Sequence, residues 1–320
     1  FSNSEIFNIF KSNKRLLLYL IEEKIIKFDK YIVTMITNDK YKESSYHLYF
    51  KPELKPFVDE EWFPKDLKNQ ILEEELPSDF FEKRLIGEND DYICKLIQED
   101  SIKEFIVYIN KTNYSLDNSI KKSIYETNLF LLKNTKNMKL IEYAAFYGSI
   151  QIFKYLFNNK IENLFPSIWI YAIHGSNAEI IHLLENYHIE PEDKTYKRCF
   201  FESIKFHFNE TSYFLYYNYL QNEESNIIDS NEFINWCLKY YNFEFIQDDL
   251  SNELSFYYLC KYDYFLFVKL YLQSKNIDVN KFEIINEKEY KKSISYCNTP
   301  FYIAVKKSNF DIVNLLLTID

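Results

Sequence analysis

Thr299-Pro-Phe-Tyr-Ile-Ala-Val-Lys-Lys-Ser-Asn-Phe-Asp-Ile-Val-Asn-Leu-Leu-Leu317 is the stretch whose grammar decides the fold. Thr-Pro opens a helix, because proline in the first turn forfeits no hydrogen bond that the helix needs. Ala304 sits on that helix, a break falls at Ser308-Asn309, and a second helix carries Ile312, Val313, Leu315, Leu316 and Leu317. Eight residues separate Ala304 from Ile312. The same eight separate Ala144 from Ile152, Ala172 from Ile180, and Leu259 from Phe267. Each copy reads as two short antiparallel helices. A small residue on the first lets the pair approach closely, and the apolar i, i+3, i+4 face of the second packs on the next copy.

Working outward, weaker copies fit around Tyr92–Asn113 and Tyr196–Leu220. In the former, Ser101 and Glu104 have capping-box spacing. In the latter, Ser203 takes the alanine place and Thr211 the isoleucine place. A helix at Glu232–Tyr241 reads as half of a further copy. The period varies, from 28 residues between Ala144 and Ala172 to 45 between Leu259 and Ala304, so the connections differ more than the helix pairs. The segment Phe282–Asn298 is the natural place for the extra length. Only three glycines occur, Gly87, Gly148 and Gly175. Asn276, Asn158-Asn159 and Asn186 are therefore expected to take the left-handed turns that glycine usually takes.

Thr299, Pro300, Phe301, Tyr302 and Ala304 resemble the T-P-L-H-x-A signature of the ankyrin repeat, and Asn276-Ile-Asp-Val-Asn280 resembles its finger. The wording of Leu140–Leu156 and Tyr171–Leu184 is similar to the large ankyrin-containing family expanded in trichomonad protists, which carries an N-terminal helical region of unknown function. The resemblance implies interaction modules without catalytic residues. The expected fold class is all-α: a helical solenoid of five or six pairs over residues 91–320, behind a helical cap over residues 1–90. In that cap, Ser4–Phe10, Lys14–Ile21 and Lys30–Ile36 read as helices, and Pro52, Pro56, Pro64 and Pro77 punctuate shorter segments.

Composition excludes several function classes. Three glycines cannot build a G-x-G-x-x-G turn or a Walker loop, which need backbone without Cβ beside a phosphate. A net charge of −10 disfavours nucleic acid and anionic membranes as partners. No apolar run reaches the ~18 residues of a spanning helix. Five widely spaced cysteines without a C-x-x-C read as core thiols in a reducing compartment, so a cytoplasmic setting is expected. The chain starts at Phe1 and stops just after a helical run, so it reads as a piece of a longer protein. His47, His174, His182, His188 and His207 form no ligand spacing, and the carboxylate runs read as solvated helix faces. No metal, cofactor or catalytic residue is expected.

What remains is surface. The slots flanking the small residue on the first helices hold Tyr143, Phe146 and Tyr147; Tyr171 and His174; Tyr258, Lys261 and Tyr262; and Ile303, Lys306 and Lys307. Aromatics are the commonest binding anchors. The expectation is a monomeric, non-catalytic scaffold that takes a protein partner on these slots and on the finger loops. The alternative is an enzyme or regulatory domain within residues 1–90 or in flanking regions outside the chain.

Overall fold

The computed structural model describes residues 1–38, 45–73, 75–134, 137–159, 166–221, 228, 230–246, 253–274, 283–284 and 297–318. It is predominantly helical. The chain divides into two compact units, Phe1–Leu164 and Phe165–Asp320.

The first unit begins with α1 (Asn3–Phe10), α2 (Lys14–Glu22) and α3 (Lys30–Thr37). Ser2, Asn13 and Asp29 cap these helices by accepting backbone N–H groups. As the prolines foretell, short pieces follow: α4 (Tyr46–Tyr49), α5 (Lys51–Leu54), α6 (Lys65–Glu73) and α7 (Phe80–Ile86). The apolar faces of α1 to α6 enclose a core of their own, running from Phe7 through Tyr49 and Phe50 to Ile71. An ionic anchor joins this region to a later loop of the same unit. Lys14 is wholly buried, and its Nζ donates to the carbonyls of Ile124 (3.2 Å) and Glu126 (3.5 Å). The ammonium lies 5.3 and 5.4 Å from the ring centroids of Tyr46 and Tyr49. Burial lowers the Lys14 ammonium to about 8 and raises the nearby Glu126 carboxyl to about 7. Gly87 (φ +75°) packs against Thr127, where a Cβ would meet Oγ1 at 2.8 Å.

Helix pairs then take over. In the first unit, α8 (Tyr92–Gln98) pairs with α9 (Ile102–Thr112); α10 (Leu129–Asn134) follows, and then α11 (Leu140–Tyr147) pairs with α12 (Ile150–Asn158). First helix packs on first and second on second: α8 on α11, α9 on α12. The second unit holds α13 (Ile168–Gly175) with α14 (Ala178–Asn186), and α15 (Lys197–Lys205) with α16 (Asn209–Leu215). Next comes α17 (Ser230–Lys239) with a 3₁₀ turn at Phe243–Phe245, then α18 (Glu253–Lys261) with α19 (Phe265–Ser274). The last pair is α20 (Pro300–Lys307) with α21 (Phe310–Leu317). Its first helices pack in succession, α13 on α15, α15 on α17, α17 on α18, α18 on α20. Between α19 and α20, β1 (Glu283–Ile284) pairs antiparallel with β2 (Cys297–Asn298), Glu283 opposite Asn298 and Ile284 opposite Cys297. The rest of the Asn276–Asn298 finger lies outside the described residues.

One turn recurs in every pair. A left-handed residue ends each first helix: Asp100, Gly148, Ser176, His207, Tyr241, Asp263 and Ser308, with φ from 46° to 67°. Four residues earlier stands what we term the pivot residue: Leu96, Ala144, Ala172, Ser203, Cys237, Leu259 or Ala304, all buried. In six of the seven turns the N–H after the left-handed residue returns to the pivot carbonyl, as from Ser149 to Ala144 (2.9 Å) and from Asn309 to Ala304 (3.0 Å). This is the 6→1 bond of a Schellman turn. At the ends of the second helices, where left-handed asparagines are expected, Asn159 has φ −87° and Asn186 lies within α14. Asn276 is outside the described residues. The capping box expected at Ser101 does not form either, its hydroxyl turning instead toward Glu99.

The residue after the left-handed one also reaches sideways. Ser149 Oγ donates to Ile97 O, Asn242 Nδ2 to Ile204 O (3.0 Å), Tyr264 OH to Leu238 O (2.6 Å), and Asn309 Nδ2 to Cys260 O (2.6 Å). Each acceptor is the carbonyl one past the pivot of the preceding pair. The bond therefore sets the register between neighbouring first helices, so equivalent positions come side by side. Ser203 Oγ also meets Ser212 Oγ at 2.7 Å, satisfying two buried hydroxyls inside one pair. No helix among the described residues is long and apolar enough to cross a membrane.

Candidate functional site

Because register is fixed, the surface positions can be named relative to the pivot. The expected slots are minus one, plus two and plus three on each first helix. They divide into two kinds.

The minus-one positions do not carry exposed anchors. Tyr143, Tyr171, Tyr258 and Ile303 are all buried, contrary to the exposure expected of them. The position faces the neighbouring helix rather than solvent. Tyr143 shows this: it is 0% exposed, its hydroxyl accepts from Gln98 Nε2 (2.8 Å) of α8, and burial raises its phenol far above the ordinary range. These four residues are packing between helices.

The plus-two and plus-three positions keep surface, except at His174, whose side chain is only 5% exposed, contrary to the exposure expected of it. In the first unit they are Gln98 and Glu99 on α8 and two aromatics on α11. Phe146 is half-buried and lies nearly parallel to Phe130, with centroids 5.6 Å apart. Tyr147 is half-buried, within 4.8 Å of Tyr143 by ring centroid, and burial pushes its phenol up to about 12.

In the second unit the plus-two position is basic on every first helix: His174, Lys205, Lys239, Lys261 and Lys306. Each of these side chains is seated against rings. His174 meets Phe206 at 4.4 Å, and Lys205 Nζ stands 4.5 Å from the same ring. Lys239 Nζ lies 5.5 Å from Trp236 and 5.3 Å from Tyr240. Lys261 Nζ is 5.4 Å from both Tyr258 and Tyr262, and Lys306 Nζ is 5.8 Å from Tyr302. Lys307 extends the column at plus three and is exposed. Tyr262, also at plus three, donates its hydroxyl to Asn235 Oδ1 of α17 (2.7 Å). One carboxylate enters the column. Glu202 lies 3.4 Å from His174 Nε2 and 2.9 Å from Lys205 Nζ. Burial alone would raise its carboxyl, but hydrogen bonds from these two groups outweigh that and hold it below its ordinary value.

Lys205, Phe206, Trp236, Lys239 and Tyr240 are the residues sequence reasoning missed. Ser203 is the pivot at the place expected of it, but no surface slots are read from its copy, and Cys237 lies on the helix read only as half of a copy. A usable signal was present: Ile204-Lys-Phe206, Leu238-Lys-Tyr240 and Cys260-Lys-Tyr262 share one pattern, apolar then Lys then aromatic.

The interior offers little chemistry. Cys94, Cys199, Cys237 and Cys260 are buried free thiols. Burial raises all four, Cys199 and Cys237 to about 12, so none is an activated thiolate. Among the described residues no cluster of three His, Cys, Asp or Glu could hold a metal. No model of a known protein family matches the chain, and no curated protein matches it at a significant level.

Proposed function

We propose that the chain is a non-catalytic protein–protein interaction scaffold built from ankyrin-type helix pairs behind an N-terminal helical region. A protein partner docks on the exposed plus-two and plus-three positions of the first helices and on the finger loops. The observation that carries this reading is the recurrence of one turn, one lateral hydrogen bond and one set of surface positions from pair to pair. A surface repeated by a rigid backbone needs little reordering when a partner arrives. Buried free thiols suit a monomer working in the reducing cytoplasm.

Photo-crosslinking tests this. A photoreactive residue is placed at Phe146 or Tyr262 on the first helices, or at Leu266 on a second helix, and the chain is exposed to extract of its source cell. A discrete cross-linked protein from positions 146 or 262, absent from 266, is the expected result. Cross-links confined to 266 would overturn the assigned face, and turnover of a cellular metabolite abolished by one substitution would overturn the non-catalytic reading.

A further inference from the structure

The finger Tyr187–Tyr196, between α14 and α15, is held in one shape from both ends. Trp169 Nε1 of α13 donates to Ile189 O (2.5 Å), and the Tyr196 ring stacks on Tyr219 with centroids 3.8 Å apart. Three of its residues, His188, Lys194 and Tyr196, have φ between 53° and 57°. Left-handed backbone outside glycine is strained and lasts only where its surroundings over-determine it. Asp193 is the inner brace: its Oδ2 accepts from Thr195 Oγ1 (3.0 Å) and Arg198 N (2.9 Å). The finger is therefore pre-shaped, and little entropy is lost when something binds beside it.

Against it lies a cleft of about 190 Å³, measured out to its mouth, whose lining includes Ile170, Pro191, Asp193 and Cys199. Ile170, Pro191 and Cys199 are buried and apolar. Asp193 supplies the polar feature. Its Oδ1 is shielded from water and accepts no hydrogen bond among the described residues. A carboxylate oxygen in that state costs stability until a donor reaches it. Arg198, also in the lining, pairs its guanidinium with Glu192 (2.6 Å) rather than with Asp193.

Three constraints set the chemistry of the donor. The finger carries Glu190, Glu192 and Asp193 against Lys194, so the local field favours a cation. One carboxylate oxygen is open, because Oδ2 is already engaged. That suits a compact ammonium, whereas a guanidinium fork needs two acceptors. The apolar walls suit a methylene stem, which lysine buries readily while its head stays polar.

We infer that this cleft takes a lysine side chain of the protein partner, its stem along Ile170, Pro191 and Cys199 and its ammonium donating to Asp193 Oδ1. The inference rests on the scaffold reading, in which finger loops take part in docking, and names one residue of the partner.

Ligand-observed NMR on the full chain tests it with the capped pentapeptide Ala-Ser-Lys-Ser-Ala, its arginine and norleucine analogues, and butylammonium. The lysine peptide should bind at least fivefold more tightly than either analogue, and than butylammonium, which lacks flanking backbone. Asp193→Asn should remove that preference while melting as the parent does, since its side-chain oxygen can still accept from Arg198 N. Should that variant fail to fold, Glu192→Gln, at an exposed position, should still weaken the lysine peptide at least twofold by freeing Arg198 to repel it. Equal binding of the lysine and norleucine peptides overturns the charge assignment, and tighter binding of arginine overturns the choice of ammonium. Butylammonium bound as tightly as the peptide makes the cleft a site for free alkylamines and overturns the partner assignment. No binding of any probe, the cleft holding water only, overturns the inference. Photo-crosslinking from positions 146 and 262, which does not use the finger, then judges the scaffold reading separately.

Discussion

The N-terminal region and the helix pairs stabilise short helices in opposite ways. Residues 1–86 gather six unequal helices round one core and lean on a distant loop, where Lys14 meets carbonyls more than a hundred residues away and Phe80 and Lys83 pack on Tyr125. The pairs use near contacts repeated many times: a Schellman turn, a buried pivot and a lateral bond to the preceding pair. The first scheme concentrates stability in few groups. The second spreads it, so that losing one copy leaves the others intact. The effects of substitution should differ accordingly.

The largest effect is expected at the anchor. Lys14→Ala should cost about 3 kcal/mol of unfolding free energy, since it opens a buried cavity and leaves Glu126 without its nearest cation. Urea denaturation measures this. Lys14→Met combined with Glu126→Gln should recover most of the loss, because neither charge is then buried alone. A loss below about 1 kcal/mol for Lys14→Ala would remove the contrast.

The same anchor sets a pH dependence. Glu126 is raised from 4.5 to about 7, so the folded chain keeps a proton that the unfolded chain releases between those values. Stability should therefore fall as pH rises from 5 to 7, by about 1 kcal/mol per pH unit at the steepest. Lys14, lowered from 10.5 to about 8, acts in the reverse sense, and stability should climb again as pH rises from 8 toward 10.5. Urea midpoints against pH should show a minimum between 7 and 8, and Glu126→Gln should flatten the acidic limb.

Effects in the pairs should be smaller. Asn242→Ala removes bonds to Ile204 O and Asn209 Oδ1 and should cost about 1–2 kcal/mol. Asn309→Ala should cost a similar amount, by loss of its bond to Cys260 O, and the two losses should add, because the pairs are separate copies. Smallest, and of opposite sign, is Ser308→Gly. Ser308 is exposed with φ +61°, a conformation that glycine takes without strain, so a gain of about 0.5–1 kcal/mol in thermal or urea unfolding is expected.

Legibility followed the same division. The eight-residue spacing located the pairs because each is written locally, and Thr299, Pro300 and Ala304 marked the last one. Thr299 indeed caps α20 by accepting from Tyr302 N–H (3.0 Å). The same spacing slipped in two degenerate copies: Thr211 was expected inside, but Ser212 is buried, and Phe267 was expected inside, but it is 40% exposed while Val268 is buried. A one-residue slip is invisible where apolar residues are this dense. The left-handed turns after the first helices are not legible, because Tyr241, His207 and Asp263 carry no glycine-like signal. Of the expected docking slots, half of the aromatic ones proved to be packing, since Tyr143 and Phe146 differ by one turn-face that composition cannot rank. Lys14 was unreadable as an anchor, because its partners are distant in sequence and are carbonyls rather than an acidic motif.

The recurring turn is open to the most direct test, because hydrogen exchange reads it residue by residue. The amides of Ser101, Ser149, Phe208, Asn242, Tyr264 and Asn309 should all exchange far more slowly than exposed loop amides, each being held by its pivot carbonyl. Exchange of these six at the rate of unprotected amides would contradict a chain built from equivalent helix pairs.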